Sequence, residues 1–211
     1  ASMVDDCQVL DGEPIQIGID FGLTPAAAFA QRTPKGVWNI LHELVTFDMG
    51  LERFCTLLKE DINRYFPKHD LQVWGDPAGL ARSTLNEETS FDHLKTHGII
   101  ARPCATNNFQ ARREAVAMPM SRLIDNKPGF RVDRKCVRIR KCLAGGYHFK
   151  RVAIGAGHEK FKDTPNKNEF SHIGDAVQYC LLGGGEYRTM TKGNRRQLKP
   201  LVAKIDFDPL K

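Results

Sequence analysis

Ile15-Gln16-Ile17-Gly18-Ile19-Asp20-Phe21 is an alternating, β-rich stretch that reads as a strand with a carboxylate near its end. Gly22 and Pro25 punctuate that end. Working outward, residues 26–32 and 37–47 read as two further strands, joined by a turn at Thr33-Pro34-Lys35-Gly36, which makes an antiparallel meander. Leu51, Phe54, Leu57, Leu58, Ile62 and Phe66 then recur at helical spacing, and Pro67 closes the helix they predict. Leu71-Gln72-Val73-Trp74-Gly75-Asp76 reads as a short buried strand that stops at Asp76-Pro77. A short helix over residues 90–97 and a strand over 99–101 follow. Next comes a longer helix capped by Asn107 or Asn108, with a kink expected at Pro119.

Gly129 to Val132 reads as extended, Cys136 to Leu143 as a basic helix, and Gly146 to Ile154 as a hairpin arm. A last helix over residues 173–182 is expected to stop at Gly183-Gly184-Gly185. Strands and helices in this order give a mixed-sheet α/β pattern, which several folds share.

With 211 residues, the chain suits one domain with a sizeable core and a tail. Residues 1–14 are expected to be a cloning remnant (Ala1-Ser2-Met3) and a linker, 15–184 the domain, and 185–211 a basic, mobile tail. Hydrophobic residues at 41% and charged residues at 27% mark an ordinary globular chain and exclude a disordered one. No apolar run approaches the roughly 18 residues of a membrane span, so no membrane association is expected. The six cysteines form no zinc spacing and read as reduced thiols of a cytosolic protein.

A net charge of +6 favours polyanionic partners, and the placement of charge is more specific than the total. Between Arg112 and Arg151 stand twelve Lys and Arg residues against Glu114, Asp125 and Asp133, which makes either a surface that tracks a phosphate backbone or a solvated helix face. Arg138, Arg140, Lys141, Lys150 and Arg151 are the DNA-contact candidates within this run.

Three aspartates stand out by context. Asp20 sits in an otherwise apolar strand, Asp76 ends another strand, and Asp175 opens an apolar helix. A carboxylate at the carboxyl end of a strand faces the crevice where α/β folds bind ligands. Converging carboxylates repel, and hard divalent cations resolve that repulsion. Such a cluster can hold two metal ions about 4 Å apart for an in-line phosphoryl displacement. Taken singly, each has an ordinary structural reading: Asp20 and Asp76 as turn formers, Asp175 as a carboxylate facing a helix dipole. Spacing alone does not prove that the three meet.

Three segments nevertheless resemble one known family in order and separation. They are Ile17-Gly18-Ile19-Asp20-Phe21-Gly22, Trp74-Gly75-Asp76-Pro77-Ala78, and Phe170-Ser171-His172-Ile173-Gly174-Asp175-Ala176-Val177-Gln178-Tyr179. They look like the C-terminal nuclease domain of the large terminase subunits of tailed bacteriophages. The last segment, with its Ser-His-x-x-Asp-Ala-x-x-Tyr pattern, is the most specific, and the resemblance runs from about Gln16 to Leu182.

This resemblance implies an RNase H-like α/β fold, a mixed central sheet flanked by helices, with Asp20 on the first strand, Asp76 on the fourth and Asp175 at the final helix. It implies cleavage of concatemeric viral double-stranded DNA with Mg²⁺ or Mn²⁺ in the cytoplasm of an infected bacterium. The family's N-terminal ATPase motor, a small terminase subunit and a portal are the implied partners. The chain has no G-x-x-x-x-G-K-[ST] loop, so no ATP hydrolysis is expected of it.

His172 is a candidate to orient a carboxylate or a phosphate. Lys160 and Lys162, expected on a loop before Asp175, are candidates to neutralise phosphate charge. Rival readings are a Holliday-junction resolvase or RNase H proper, and a non-catalytic DNA- or portal-docking module. A third is an actin-like ATPase, whose phosphate loop Gly18 to Thr24 resembles but whose two lobes this chain is too short to form.

Overall fold

The computed structural model describes residues 3–22, 24–82, 87–154 and 158–195, and the side chains of all of these except 151–164 and 192–195. In chain order the strands and helices are β1 (Val4–Asp5), β2 (Ile15–Asp20), β3 (Ala26–Arg32), β4 (Trp38–Val45), α1 (Leu51–Tyr65), β5 (Leu71–Gly75), α2 (Ser90–Thr96), β6 (Ala101–Pro103) and α3 (Phe109–Ser121). They continue as β7 (Leu123–Ile124), β8 (Lys127–Pro128), β9 (Phe130–Asp133), α4 (Val137–Lys141), β10 (Phe149–Ile154), β11 (His158–Pro165), α5 (Ser171–Leu181) and α6 (Tyr187–Arg195).

Seven strands form one mixed sheet in the order β1-β9-β4-β3-β2-β5-β6. The meander β2-β3-β4 is antiparallel, while β5 joins β2, β6 joins β5, and β9 joins β4 in parallel. Helices cover both faces. Ile15, Ile17, Ile19, Ala27 and Phe29 pack with Phe54, Leu58 and Ile62 of α1 on one side. Ala26, Ala28, Ala30 and Ile40 pack with Ala176, Val177 and Cys180 of α5 and with Ala115 of α3 on the other. Each fully buried Ile or Leu in these layers contributes roughly 1.5–3 kcal/mol. This is the RNase H-like α/β class expected from the sequence.

β2 alternates between the two layers, so Gln16, Gly18 and Asp20 share the α5 side. Gly18 lets α5 approach. A Cβ there would stand 2.1 Å from the Ala176 carbonyl oxygen and 2.3 Å from the Cys180 nitrogen. Any side chain at this position pushes the helix off the sheet. The small residues Ala26, Ala28 and Ala30 extend the same flat bed across β3.

Several expectations need correction. The N-terminal segment is not merely a linker: Val4–Asp5 pairs in parallel with Val132 and Asp133 of β9 and forms an edge of the sheet. The domain does not end at residue 184 either. Gly183 to Gly185 make a π-type turn in which Gly185 takes φ +127°, and α6 follows. Glu186 is fully buried and accepts hydrogen bonds from Trp38 Nε1 (2.9 Å) and Arg122 Nη2 (2.8 Å). Tyr187 and Met190 of α6 pack on the core. Residues 196–211, expected as a mobile tail, lie outside the described residues. Pro119 lies within α3, two residues before its end at Ser121. Asn108 is the residue that caps this helix, accepting from the Ala111 amide at 3.0 Å. All six cysteines are free and five are buried, where thiols behave as small hydrophobes.

Candidate active site

Strand register settles where two of the aspartates stand. Ile19 pairs with Gly75 across parallel strands β2 and β5, so Asp20 and Asp76 are the next register positions at one end of the sheet. Paired positions project to the same face, here the face that α5 covers. The Asp76 amide donates to the Ile19 carbonyl at 3.2 Å, which ties the two strand ends together. Asp175 lies in the second turn of α5, only 2% exposed, and Gly18 below it sets the height of that helix above the sheet. It is not in the first turn of α5, which rules out the helix-dipole reading.

Asp20 is 7% exposed. His172 Nδ1 lies 2.7 Å from its Oδ2, and the absence of a Cβ at Gly22 leaves room for that imidazole, since a Cβ would sit 2.7 Å from His172 Cε1. Burial raises the Asp20 pKa above its ordinary value; the His172 bond opposes this and the Asp175 charge adds to it. Asp20 and Asp175 therefore already feel each other's charge, which is the repulsion a divalent cation would relieve.

Asp175 accepts from Tyr147 Oη at 3.1 Å on Oδ1 and from Lys167 Nζ at 2.5 Å on Oδ2. The Arg112 Nη1 atom stands 3.1 Å from the same Oδ1. Burial and the Asp175 carboxylate push the Tyr147 hydroxyl well above its ordinary range, so it stays a donor. Asp76 keeps part of its ordinary role: its Oδ1 accepts from the Ala78 amide at 2.9 Å and starts a 3₁₀ turn, Pro77–Leu80. Its charge reaches Tyr179 of α5, whose pKa is raised by burial foremost, with the Arg112 cation opposing and Asp76 adding to the rise. Tyr179 Oη donates to Asn107 Oδ1 at 2.7 Å.

The three carboxylates thus share one end of the sheet and one face. Among the described residues, no group of three His, Cys, Asp or Glu side chains stands close enough to hold one ion without rearrangement. The donor chemistry still fits a hard divalent cation: the acceptors are carboxylate oxygens, and Asp20 is destabilised by burial beside another carboxylate. Lys167 and Arg112 supply the positive charge at Asp175 as the side chains stand.

Of the other candidates, His172 meets Asp20. Lys160 and Lys162 fall on strand β11, not on a loop, and their side chains lie outside the described residues. The lysine that reaches Asp175 is Lys167, which the sequence reading missed although it stands only eight residues before Asp175. Arg112, Tyr147 and Asn107 were missed as well. One signal pointed to Arg112 and Asn107: they follow parallel strand β6, at whose carboxyl end ligand-facing residues collect.

Arg138 is occupied, with Nη1 2.6 Å from Glu169 and its guanidinium 4.8 Å from the exposed Phe47 ring. Arg140 Nη1 donates to the Arg134 carbonyl at 3.0 Å, and Arg140, Lys141 and Lys150 are exposed. The Arg151 side chain lies outside the described residues.

No family model matches the sequence, and no curated protein sequence matches it. Solved structures do. The large terminase of the thermophilic bacteriophage D6E aligns over 85% of this chain with 18% identity and a TM-score of 0.63, and the alignment spans 41% of that protein. The nuclease domain of the P22 large terminase aligns over 85% of this chain and 86% of its own, at 13% identity and a TM-score of 0.61. The HK97 bacteriophage large terminase aligns at 13% identity with a TM-score of 0.50, again over 41% of its length. The chain therefore has the fold of the nuclease domain of bacteriophage large terminases.

Proposed function

We propose that this domain is a metal-dependent endonuclease that cuts concatemeric viral double-stranded DNA during genome packaging. The observation that carries the reading is the placement of Asp20, Asp76 and Asp175 on one face at one end of a terminase-type sheet. Asp20, Asp76 and Asp175 are the catalytic carboxylates. They would hold Mg²⁺ or Mn²⁺, two ions during the reaction, which supply an activated water and neutralise charge at the leaving oxygen.

The chain's own residues do the rest. His172 orients the Asp20 carboxylate. Tyr147 fixes one oxygen of Asp175, and Lys167 holds the other until a cation competes for it. Lys160 and Lys162 are candidates to face phosphate on the strand that leads into the site. Arg138, Arg140, Lys141, Lys150 and Arg151 are candidates to hold the DNA backbone, which makes binding tolerant of sequence. By the same reading, the domain works in the cytoplasm of an infected bacterium, joined to an ATPase motor and served by a small terminase subunit and a portal. No helix among the described residues is long and apolar enough to cross a membrane.

The test is nicking and linearisation of supercoiled plasmid in Mg²⁺, Mn²⁺ or EDTA, with Asp20→Asn, Asp76→Asn and Asp175→Asn beside the unmodified protein. Cutting that requires metal and disappears in all three folded variants supports the reading. Cutting in EDTA, or variants as active as the parent, rejects it.

A further inference from the structure

Arg112 has an unusual setting for an arginine. It rises from the first turn of α3, is 7% exposed, and lies between two aromatic rings, with Cζ 4.8 Å from the Tyr179 centroid and 5.6 Å from that of Phe109. Its Nη1 stands 3.1 Å from Asp175 Oδ1 but makes no hydrogen bond there, and its Nε has no partner either. The oxygens of Asp175 are already served by Tyr147 and Lys167. A purely structural ion pair would align the guanidinium fork on the carboxylate and satisfy its donors. Burying a guanidinium with two unmet donors costs free energy that such a role does not explain. The group cannot shed its proton to escape, so the charge is permanent.

We propose that Arg112 is a fixed positive charge that weakens divalent-cation binding at the carboxylate cluster until a DNA phosphate arrives, so that full metal loading at low cation concentration depends on substrate. The inference rests on the nuclease reading above. Three carboxylates bring three negative charges, and Arg112 removes one without exposure to screening solvent. A first divalent ion that displaces Lys167 from Asp175 brings the cluster close to neutrality. A second leaves a net positive charge in a buried site, which is unfavourable at low effective dielectric. A DNA phosphate, with one negative charge, offsets part of that excess, and its oxygens are acceptors for the unmet Nε–H and Nη1–H. The stacking on Phe109 and Tyr179 holds the guanidinium in place while ions come and go.

The experiment measures Mn²⁺ binding without DNA, from the electron paramagnetic resonance of free Mn²⁺. The proteins are the unmodified chain, Arg112→Lys, Arg112→Gln, Arg112→Met and Asp175→Asn, each checked for cooperative melting. In parallel, the Mn²⁺ concentration that half-saturates plasmid nicking is measured. The unmodified chain and Arg112→Lys should bind Mn²⁺ less tightly without DNA than nicking requires. Arg112→Gln and Arg112→Met should bind it about tenfold or more tightly without DNA, because a nearby unit charge has gone. In those variants the gap between binding and nicking should close.

A structural role alone would weaken binding in every Arg112 variant, lysine included. If the folded Gln and Met variants bind Mn²⁺ no more tightly than the parent, while Asp175→Asn abolishes binding, the Arg112 proposal fails and the nuclease reading stands. If Asp175→Asn binds Mn²⁺ as tightly as a parent that binds it measurably, or no Mn²⁺ concentration supports nicking, the reading itself fails and takes the proposal with it. Should Arg112→Met not fold, the comparison of lysine with glutamine decides.

Discussion

Replacing Gly18 with alanine is expected to damage both the fold and the site, because the close approach of α5 to β2 depends on the missing side chain. The added Cβ would lie 2.1 Å from the Ala176 oxygen and 2.3 Å from the Cys180 nitrogen, where real Cβ atoms essentially never come within 3.0 Å. Two of the three nearest atoms are backbone, so the helix itself has to retreat by about 0.9 Å at the tightest point. Overpacking of this kind costs about 1–3 kcal/mol. In a domain of this size each kcal/mol lowers Tm by about 2–4 °C.

Asp175 sits one residue before Ala176 and moves with it, away from Asp20 and Asp76. A misplacement near 1 Å at a reacting centre lowers the rate by about 100-fold. Thermal melting and plasmid nicking on the same Gly18→Ala preparation give both numbers. A variant that melts and cuts like its parent would refute the reasoning, since it would mean that α5 does not rest on Gly18 or that its height is irrelevant to cleavage.

Three other perturbations follow from the same geometry. Burial raises the Asp20 pKa above its ordinary 3.8, so between 3.8 and the raised value the folded chain binds more protons than the unfolded one, and stability falls as pH rises through that window. Without metal, Asp20→Asn should therefore melt above the parent at neutral pH, an advantage that shrinks as pH falls to 3.8. Adding Mg²⁺ should raise the parent's Tm and leave the variant's unchanged. His172→Ala removes the imidazole 2.7 Å from Asp20 and should lower metal affinity or nicking by about 10–100-fold, with little change in melting. Glu186→Ala leaves Trp38 Nε1 and the Arg122 guanidinium without their buried acceptor and should cost about 3–5 kcal/mol in urea titration, while any molecules that remain folded keep their metal dependence.

The parts of this fold that were legible in the sequence are those that local periodicity controls. The meander, the amphipathic α1 and the apolar α5 each carry their period in consecutive residues. Asp20 and Asp76 could be picked out because a carboxylate closing an apolar strand is conspicuous. What stayed hidden depends on pairing across the chain. The parallel partnership of Val4–Asp5 with β9 links residues more than 120 apart, and two residues carry no strand pattern of their own. Three glycines read as the end of a helix, yet Gly183 and Gly184 pack against Trp74 and Trp38, and the chain turns into α6. Lys160 and Lys162 were expected on a loop and fall on β11, while Lys167 past its end makes the contact with Asp175. Arg112 was counted in a basic run, where a buried guanidinium and a solvated one look alike.

The central claim is that Asp20, Asp76 and Asp175 form one metal site. The most direct measurement is an anomalous difference map from a crystal of this protein soaked in Mn²⁺, collected at the manganese absorption edge. The account predicts manganese peaks bounded by the Asp20, Asp76 and Asp175 carboxylates, with Lys167 displaced from Asp175. Manganese bound elsewhere, with Lys167 still on Asp175 and the three carboxylates empty, would contradict it.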